Sequence, residues 1–141
     1  MQNAARSAAL PSAARLGGWV RAALARDAAV TLRVVGRAEG RRLNRRYRGS
    51  DHATNVLSFP YTRRPRVTGD LVLCAPVIAA EARAQGKSFP AHLAHLIVHG
   101  TLHLQGYAHA RSASAERMEA RERRILAGLG FADPYLVRRE A

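Results

Sequence analysis

Apolar positions recur along the chain with two periods, close to four in some stretches and two in others. Residues 12–26 carry Leu16, Trp19, Val20, Ala23 and Leu24 along one helical stripe that should pack on a core. Val30–Val35 (VTLRVV) is rich in β-branched residues, with Arg33 its one charge, and reads as a strand. A short helix over 38–47 follows, with Leu43 and Tyr47 one turn apart on its inner face. Thr54–Phe59 is a second strand, stopped by Pro60, and a proline there suggests a sheet edge. Asp70–Cys74 (DLVLC) is nearly all apolar and belongs at the centre of a sheet. Pro76 suits the first turn of a helix running to about Gln85. Pro90 opens the next helix, which Leu93, Leu96, Ile97 and Leu104 mark as the buried centrepiece. A last helix, about 113–127, aligns Met118, Ile125, Leu126 and Leu129, with mixed charges elsewhere and Gly128 and Gly130 at its end. Strands interspersed with helices predict an α+β fold, a small mixed β-sheet packed with helices as a single domain over residues 1–141.

The central helix carries the chemistry. His99-Gly100-Thr101-Leu102-His103-Leu104-Gln105-Gly106-Tyr107-Ala108-His109 has the spacing H-x-x-x-H-x-x-G-x-x-H. Histidines four apart on a helix project from one face, so both imidazoles can reach one ion at about 2.0–2.1 Å. Gly106 can take the left-handed conformation that ends a helix, after which the chain doubles back and His109 supplies a third ligand. Three protein nitrogens leave one tetrahedral position open, as in catalytic zinc sites. Imidazole also suits nickel, copper and iron, so zinc is the first expectation among several.

Zinc peptidases place a glutamate after the first histidine as general base. Here that position is Gly100, and no carboxylate lies between His99 and His109. What remains is a Lewis-acid site, suited to activated or anionic substrates such as phosphodiesters when other groups supply positive charge.

Charge points the same way. The chain has 23 Lys+Arg against 10 Asp+Glu, a net +13, and Lys87 is the only lysine. Arginine binds phosphate as a planar fork that is always charged, so a polyanionic partner such as RNA or DNA is expected. The contrary reading is an Ala- and Arg-rich composition without functional meaning. Arg41, Arg42, Arg45 and Arg46 cluster on the second helix and Arg48 follows at its end, and Arg63, Arg64 and Arg66 surround Pro65 in an exposed basic loop, Tyr61–Arg66. Cys74 is the only cysteine, which excludes a disulfide framework and a thiolate zinc site; it reads as a small buried residue. No apolar run reaches the roughly eighteen residues a membrane span needs. The first 26 residues lack acids and superficially resemble a transit peptide, but their apolar stripe favours a structural role and a cytoplasmic protein.

Leu43–Arg48 (LNRRYR), Thr54–Pro60 (TNVLSFP), Gly69–Cys74 (GDLVLC), His95–His109 (HLIVHGTLHLQGYAH) and Gly130–Tyr135 (GFADPY) together resemble the bacterial YbeY family of endoribonucleases and rRNA maturation factors. They stand in the family's order and span most of residues 30–135. The resemblance implies a zincin-like fold with one Zn2+ held by His99, His103 and His109. It implies cleavage of single-stranded RNA at the 3′ end of small-subunit (16S) rRNA, a part in ribosome quality control, and small-subunit components as partners. Arg48 falls on the family's arginine beside the metal cleft, where it would hold a phosphate oxygen; the alternative is a cation satisfying a helix C-terminus. The nucleophile is left open between metal-activated water and the substrate's 2′-hydroxyl. One departure stands out: the family's G-Y-D-H is Gly106-Tyr107-Ala108-His109 here, so an aspartate that can orient a ligand or solvent is missing.

His95, one turn before His99, is either a second ligand in a rival His95–His99 site or a buried hydrogen-bonding partner, and the second is favoured. His52 reads as surface; Ser58 and Phe59 can line the cleft from an edge strand, with core packing favoured for Phe59. Two other functions compete with a nuclease: a non-catalytic RNA-binding assembly factor whose metal only stabilises the fold, and a peptidase or small-molecule metallohydrolase, the peptidase disfavoured by Gly100.

Overall fold

The computed structural model describes residues 2–3, 10–107 and 112–136. Its sheet is built around β4 (Val67–Cys74), which pairs in parallel with β2 (Ala28–Val35) and antiparallel with β3 (Val56–Thr62). A two-residue strand, β1 (Gln2–Asn3), adds in parallel to the other edge of β2, giving the order β1-β2-β4-β3. The apolar segment is thus central and the proline-bearing one an edge, as the pattern predicts. The pleat sends Val67, Leu71 and Leu73 to one face, where they join the core of α1 (Ala13–Ala23), α4 (Phe89–Leu104) and α5 (Ser112–Gly128). Val72 and Cys74 face the other way and pack with Val35 and Leu57 beneath α2 (Arg37–Arg48) and beside α3 (Ala75–Ala84). Cys74 is buried, as expected.

Four expectations needed correction. The second strand does not stop at Pro60 but runs to Thr62, so Tyr61 and Thr62 leave the predicted loop. An edge strand tolerates proline because one of its backbone sides has no sheet partner to lose, and a bulge between Pro60 and Thr62 absorbs the irregularity. Arg63, Arg64 and Arg66 are exposed in the remaining turn. The inner face of α2 is Gly40 and Asn44, not Leu43 and Tyr47. A Cβ on Gly40 would sit 3.2 Å from the Cys74 sulfur, so the small residue lets helix and strand approach, while Leu43 is only partly buried and Tyr47 is exposed. Helix α1 ends at Ala23 rather than 26, because Gln105 captures its end: Nε2 donates to the Ala23 carbonyl at 2.7 Å and Oε1 accepts from Ala25 N–H at 2.9 Å. Finally, the short β1 carries no periodic signal and is absent from the predicted elements.

Candidate metal centre

Helix α4 starts where Ser88 caps it, its hydroxyl accepting from Ala91 N–H at 3.2 Å. It ends where Gly106, with φ +104°, turns the chain back, as the sequence predicts. Its buried face includes Gly100. A Cβ there would lie 2.8 Å from Leu71 Cδ2 and 3.3 Å from Ser58 Oγ, so the position abuts the sheet and a side chain there would force the buried Leu71 to shift. The glutamate general base of the peptidase kind is absent at this position, and the tight helix–sheet contact favours the glycine that stands there.

His99 and His103 stand one turn apart, their Nε2 atoms 3.1 Å from each other. Two nitrogens bound about 2.0–2.1 Å from one tetrahedral ion lie about 3.3 Å apart, so the pair fits a shared ion. His109, the expected third ligand, and Ala108 lie outside the described residues. Arg48 holds the last position of α2, which Gly49 terminates in the left-handed conformation with φ +73°. That end of the helix brings Arg48 to the same cleft as His99 and His103, a space of ≈ 510 Å³ that Asn55, Ser58 and Arg63 also line. Arg48 is also a cation in the last turn of its helix, so the alternative reading of its charge is met as well. Ser58 reaches the cleft from the edge strand as expected, whereas Phe59 packs into the second core cluster. Among the described residues that line the cleft, none is acidic.

Behind His99 sits a carboxylate that the spacing argument missed. Glu122 of α5 is fully buried, and its Oε1 lies 3.1 Å from His99 Nδ1 and 2.9 Å from His95 Nε2. Tyr135 O–H donates to both carboxylate oxygens at 2.8 Å. Burial alone would push this carboxyl up; the hydrogen bonds from His95, His99 and Tyr135 outweigh it and hold it down at about 2. Burial and the bond to Glu122 push the Tyr135 hydroxyl up, so it remains a donor. An ionised carboxylate only accepts, so His99 must carry its proton on Nδ1, which leaves the Nε2 lone pair directed at His103. His95 is committed to Glu122 in the same way, the hydrogen-bonding role the sequence favours. His95, His99 and Glu122 nonetheless offer ligand atoms within 4.8 Å of one another and could hold an ion by themselves.

Glu122 did leave a sequence signal. It shares the stripe of Met118, Ile125 and Leu126, and an acid at an apolar-face position is rarely there without a partner. Farther up α4, His92 is buried and bonded to Glu81 at 3.0 Å, and Glu81 in turn accepts from Asn55 Nδ2 at 3.1 Å. His52 is exposed, as expected.

Residues 14–130 match the family model for endoribonuclease YbeY. The chain belongs to the YbeY family. Among curated YbeY members, the Verminephrobacter eiseniae protein is 60% identical over 117 residues, which cover 83% of this chain and 76% of that one. The Aromatoleum aromaticum member is 58% identical over 134 residues, covering 95% and 85%. Both carry the name endoribonuclease YbeY. The solution structure of TM1509 from Thermotoga maritima superposes with a TM-score of 0.53 at 21% identity, covering 96% of this chain and 97% of that one, a likeness of fold. No helix among the described residues is long and apolar enough to cross a membrane.

Proposed function

We propose that this YbeY-family chain is a metal-dependent endoribonuclease that cuts single-stranded RNA in the cleft between α4, β3 and the end of α2. The observation that carries the reading is the make-up of that cleft, two histidines and two arginines with no acid among its described lining residues. Such a lining attracts a polyanion and repels the acidic groups of most peptides. The ion is zinc, and its ligands are His99, His103 and His109. When bound, it supplies Lewis acidity, acidifying water and polarising a phosphoryl oxygen.

The chain's own residues do the rest. Glu122 fixes the His99 tautomer and orientation through Nδ1, as carboxylates commonly do behind ligating histidines. Arg48 and Arg63 bring fixed positive charge to the cleft, and a guanidinium gains value as negative charge builds on the phosphate oxygens. Asn55 supports the wall without reaching for substrate: its Oδ1 accepts from Val56 N–H and its Nδ2 donates to Glu81. The rival set of His95, His99 and Glu122 is disfavoured because Glu122 already accepts from His95, His99 and Tyr135. The substrate is the 3′ end of small-subunit rRNA, met in the cytoplasm on ribosomal small-subunit components, as the family resemblance implies.

The test compares wild type with His103→Ala, purified identically, for cleavage of a labelled single-stranded RNA and for metal content. Wild type should hold about one ion and cut, as an open three-histidine site requires. A folded, metal-poor His103→Ala should bind RNA but not cut it. If both cut alike, the activity is a contaminating nuclease or lies elsewhere, the three-histidine reading is wrong, and the non-catalytic assembly-factor reading moves to first place.

A further inference from the structure

The outer face of β3 and α2 carries a feature that the cleft does not use. Tyr47 and Tyr61 are 57% and 65% exposed, large aromatic side chains on a surface otherwise rich in charge. Neither is loose. The Tyr47 ring stands edge-on to Phe59 with centroids 5.3 Å apart, and Tyr61 O–H donates to Asp70 at 2.7 Å. The two tyrosines are also close enough for Tyr47 to contribute, behind the Asp70 hydrogen bond and burial, to the upward push on the Tyr61 hydroxyl.

We propose that Tyr47 and Tyr61, backed by Phe59, form a stacking platform for unpaired bases of the RNA strand next to the segment held in the metal cleft. The proposal rests on the reading of RNA as substrate and adds a second subsite to it. Continuity is the first argument. Tyr47 and Arg48 are consecutive, the second lining the cleft and the first lying on the platform. Along β3, Ser58 and Pro60 line the cleft, whereas Phe59 faces the other way, and Tyr61, at the bulge, reaches that same face through its bond to Asp70, the cross-strand partner of Phe59. One edge strand therefore separates the two surfaces, and a chain passing Arg48 comes directly onto Tyr47.

Charge is the second argument. Arg46 lies 5.5 Å from the Tyr47 ring centroid. Arg41 of the same helix is paired with Asp51, and Arg45 stands near that carboxylate, whereas Arg42 and Arg48 are exposed on the same helix. Exposed aromatics interleaved with arginines are what a single strand needs, since the rings take bases and the guanidiniums track phosphates. A protein-binding patch is instead depleted of charge at its centre.

The test is anisotropy titration of two labelled RNA 12-mers of equal charge, one oligouridine and one abasic along its whole length. Wild type should bind the base-bearing strand about tenfold or more tightly, as stacking on one or more rings implies. Tyr47→Leu/Tyr61→Leu keeps apolar cover but no ring, and should bind both strands at the abasic level with an unchanged salt slope. Tyr47→Phe/Tyr61→Phe should retain the preference, and circular dichroism should find both variants folded. If the leucine pair keeps the wild-type preference, or wild type binds both strands alike, the platform does not stack bases and the proposal is overturned. The latter result would also point to a protein partner for the exposed rings. If wild type binds neither strand, the RNA reading itself falls, and the platform with it.

Discussion

Glu122 Oε1 lies 3.1 Å from Nδ1 of His99, so a fully buried carboxylate backs a histidine that lines the cleft. A carboxylate from α5 thus determines which nitrogen of a histidine on α4 can face an ion. Replacing Glu122 with Gln keeps the volume but removes the anionic acceptor and allows the tautomer to change. Metal affinity should fall about 10–100-fold with all three histidines in place. Chelator competition on the folded variant measures it, and unchanged affinity would mean that Glu122 only fills the core.

Gly100 makes the opposite point, that a position can matter for having no side chain. Its missing Cβ would lie 2.8 Å from Leu71 Cδ2, and Leu71 is fully buried. Gly100→Glu recreates the peptidase motif on paper but forces a carboxylate into the helix–sheet contact. Overpacking and an unpaired buried acid together should cost about 3 kcal/mol or more, lowering the melting temperature by roughly 10 °C. A scan by circular dichroism decides it, and gain of peptide cleavage by a stable variant would contradict the packing argument.

How far the sequence disclosed this arrangement depends on the range of each signal. The His99–His103 pair was legible because four residues is one helical turn, and β4 because a doubly buried strand reads as continuous apolar sequence. For Glu122 only its burial was legible, from its place on an apolar stripe; its partners come from α4 and the segment near Tyr135, and no local pattern encodes which helix an acid will meet. Tyr47 was misread for a related reason. Its i, i+4 spacing with Leu43 fits an inner face, but the close contact of Gly40 with Cys74 rotates α2 so that Gly40 and Asn44 point inward. Pro60 ends a strand by local rule, yet tertiary placement at the edge lets the strand continue.

His92 gives the fold a dependence on pH separate from the cleft. Burial holds its pKa below the ordinary 6.5, with the hydrogen bond to Glu81 opposing in part. As pH falls through 6.5, the unfolded chain takes up this proton before the folded one does. Stability is therefore complete above that value, falls as the pH drops below it, and levels off only beneath the depressed folded value. Urea midpoints between about pH 7.5 and 5 should fall less steeply in His92→Gln than in wild type. Parallel profiles would show that His92 takes no part.

Arg48 is where the cleft's electrostatics can be separated from its metal. It is exposed at the end of α2 and its side chain bonds no described residue, so truncation removes no packed contact. If the guanidinium acts on the phosphate as charge develops, Arg48→Ala should lower kcat about 10²–10³-fold, the range for losing one such preorganised donor. Metal content and melting temperature should stay at wild-type values. Arg48→Lys restores the charge but not the planar fork, and should recover only part of the rate. Arg64→Ala, in the exposed turn, provides the contrast: it removes one positive charge away from the histidines and should alter only the salt dependence of binding, by a slope of about one. Single-turnover cleavage at saturating RNA separates the cases. A kcat that survives Arg48→Ala while binding weakens with salt would make Arg48 one more member of the basic surface, and the rate would then rest on the metal and its histidines alone.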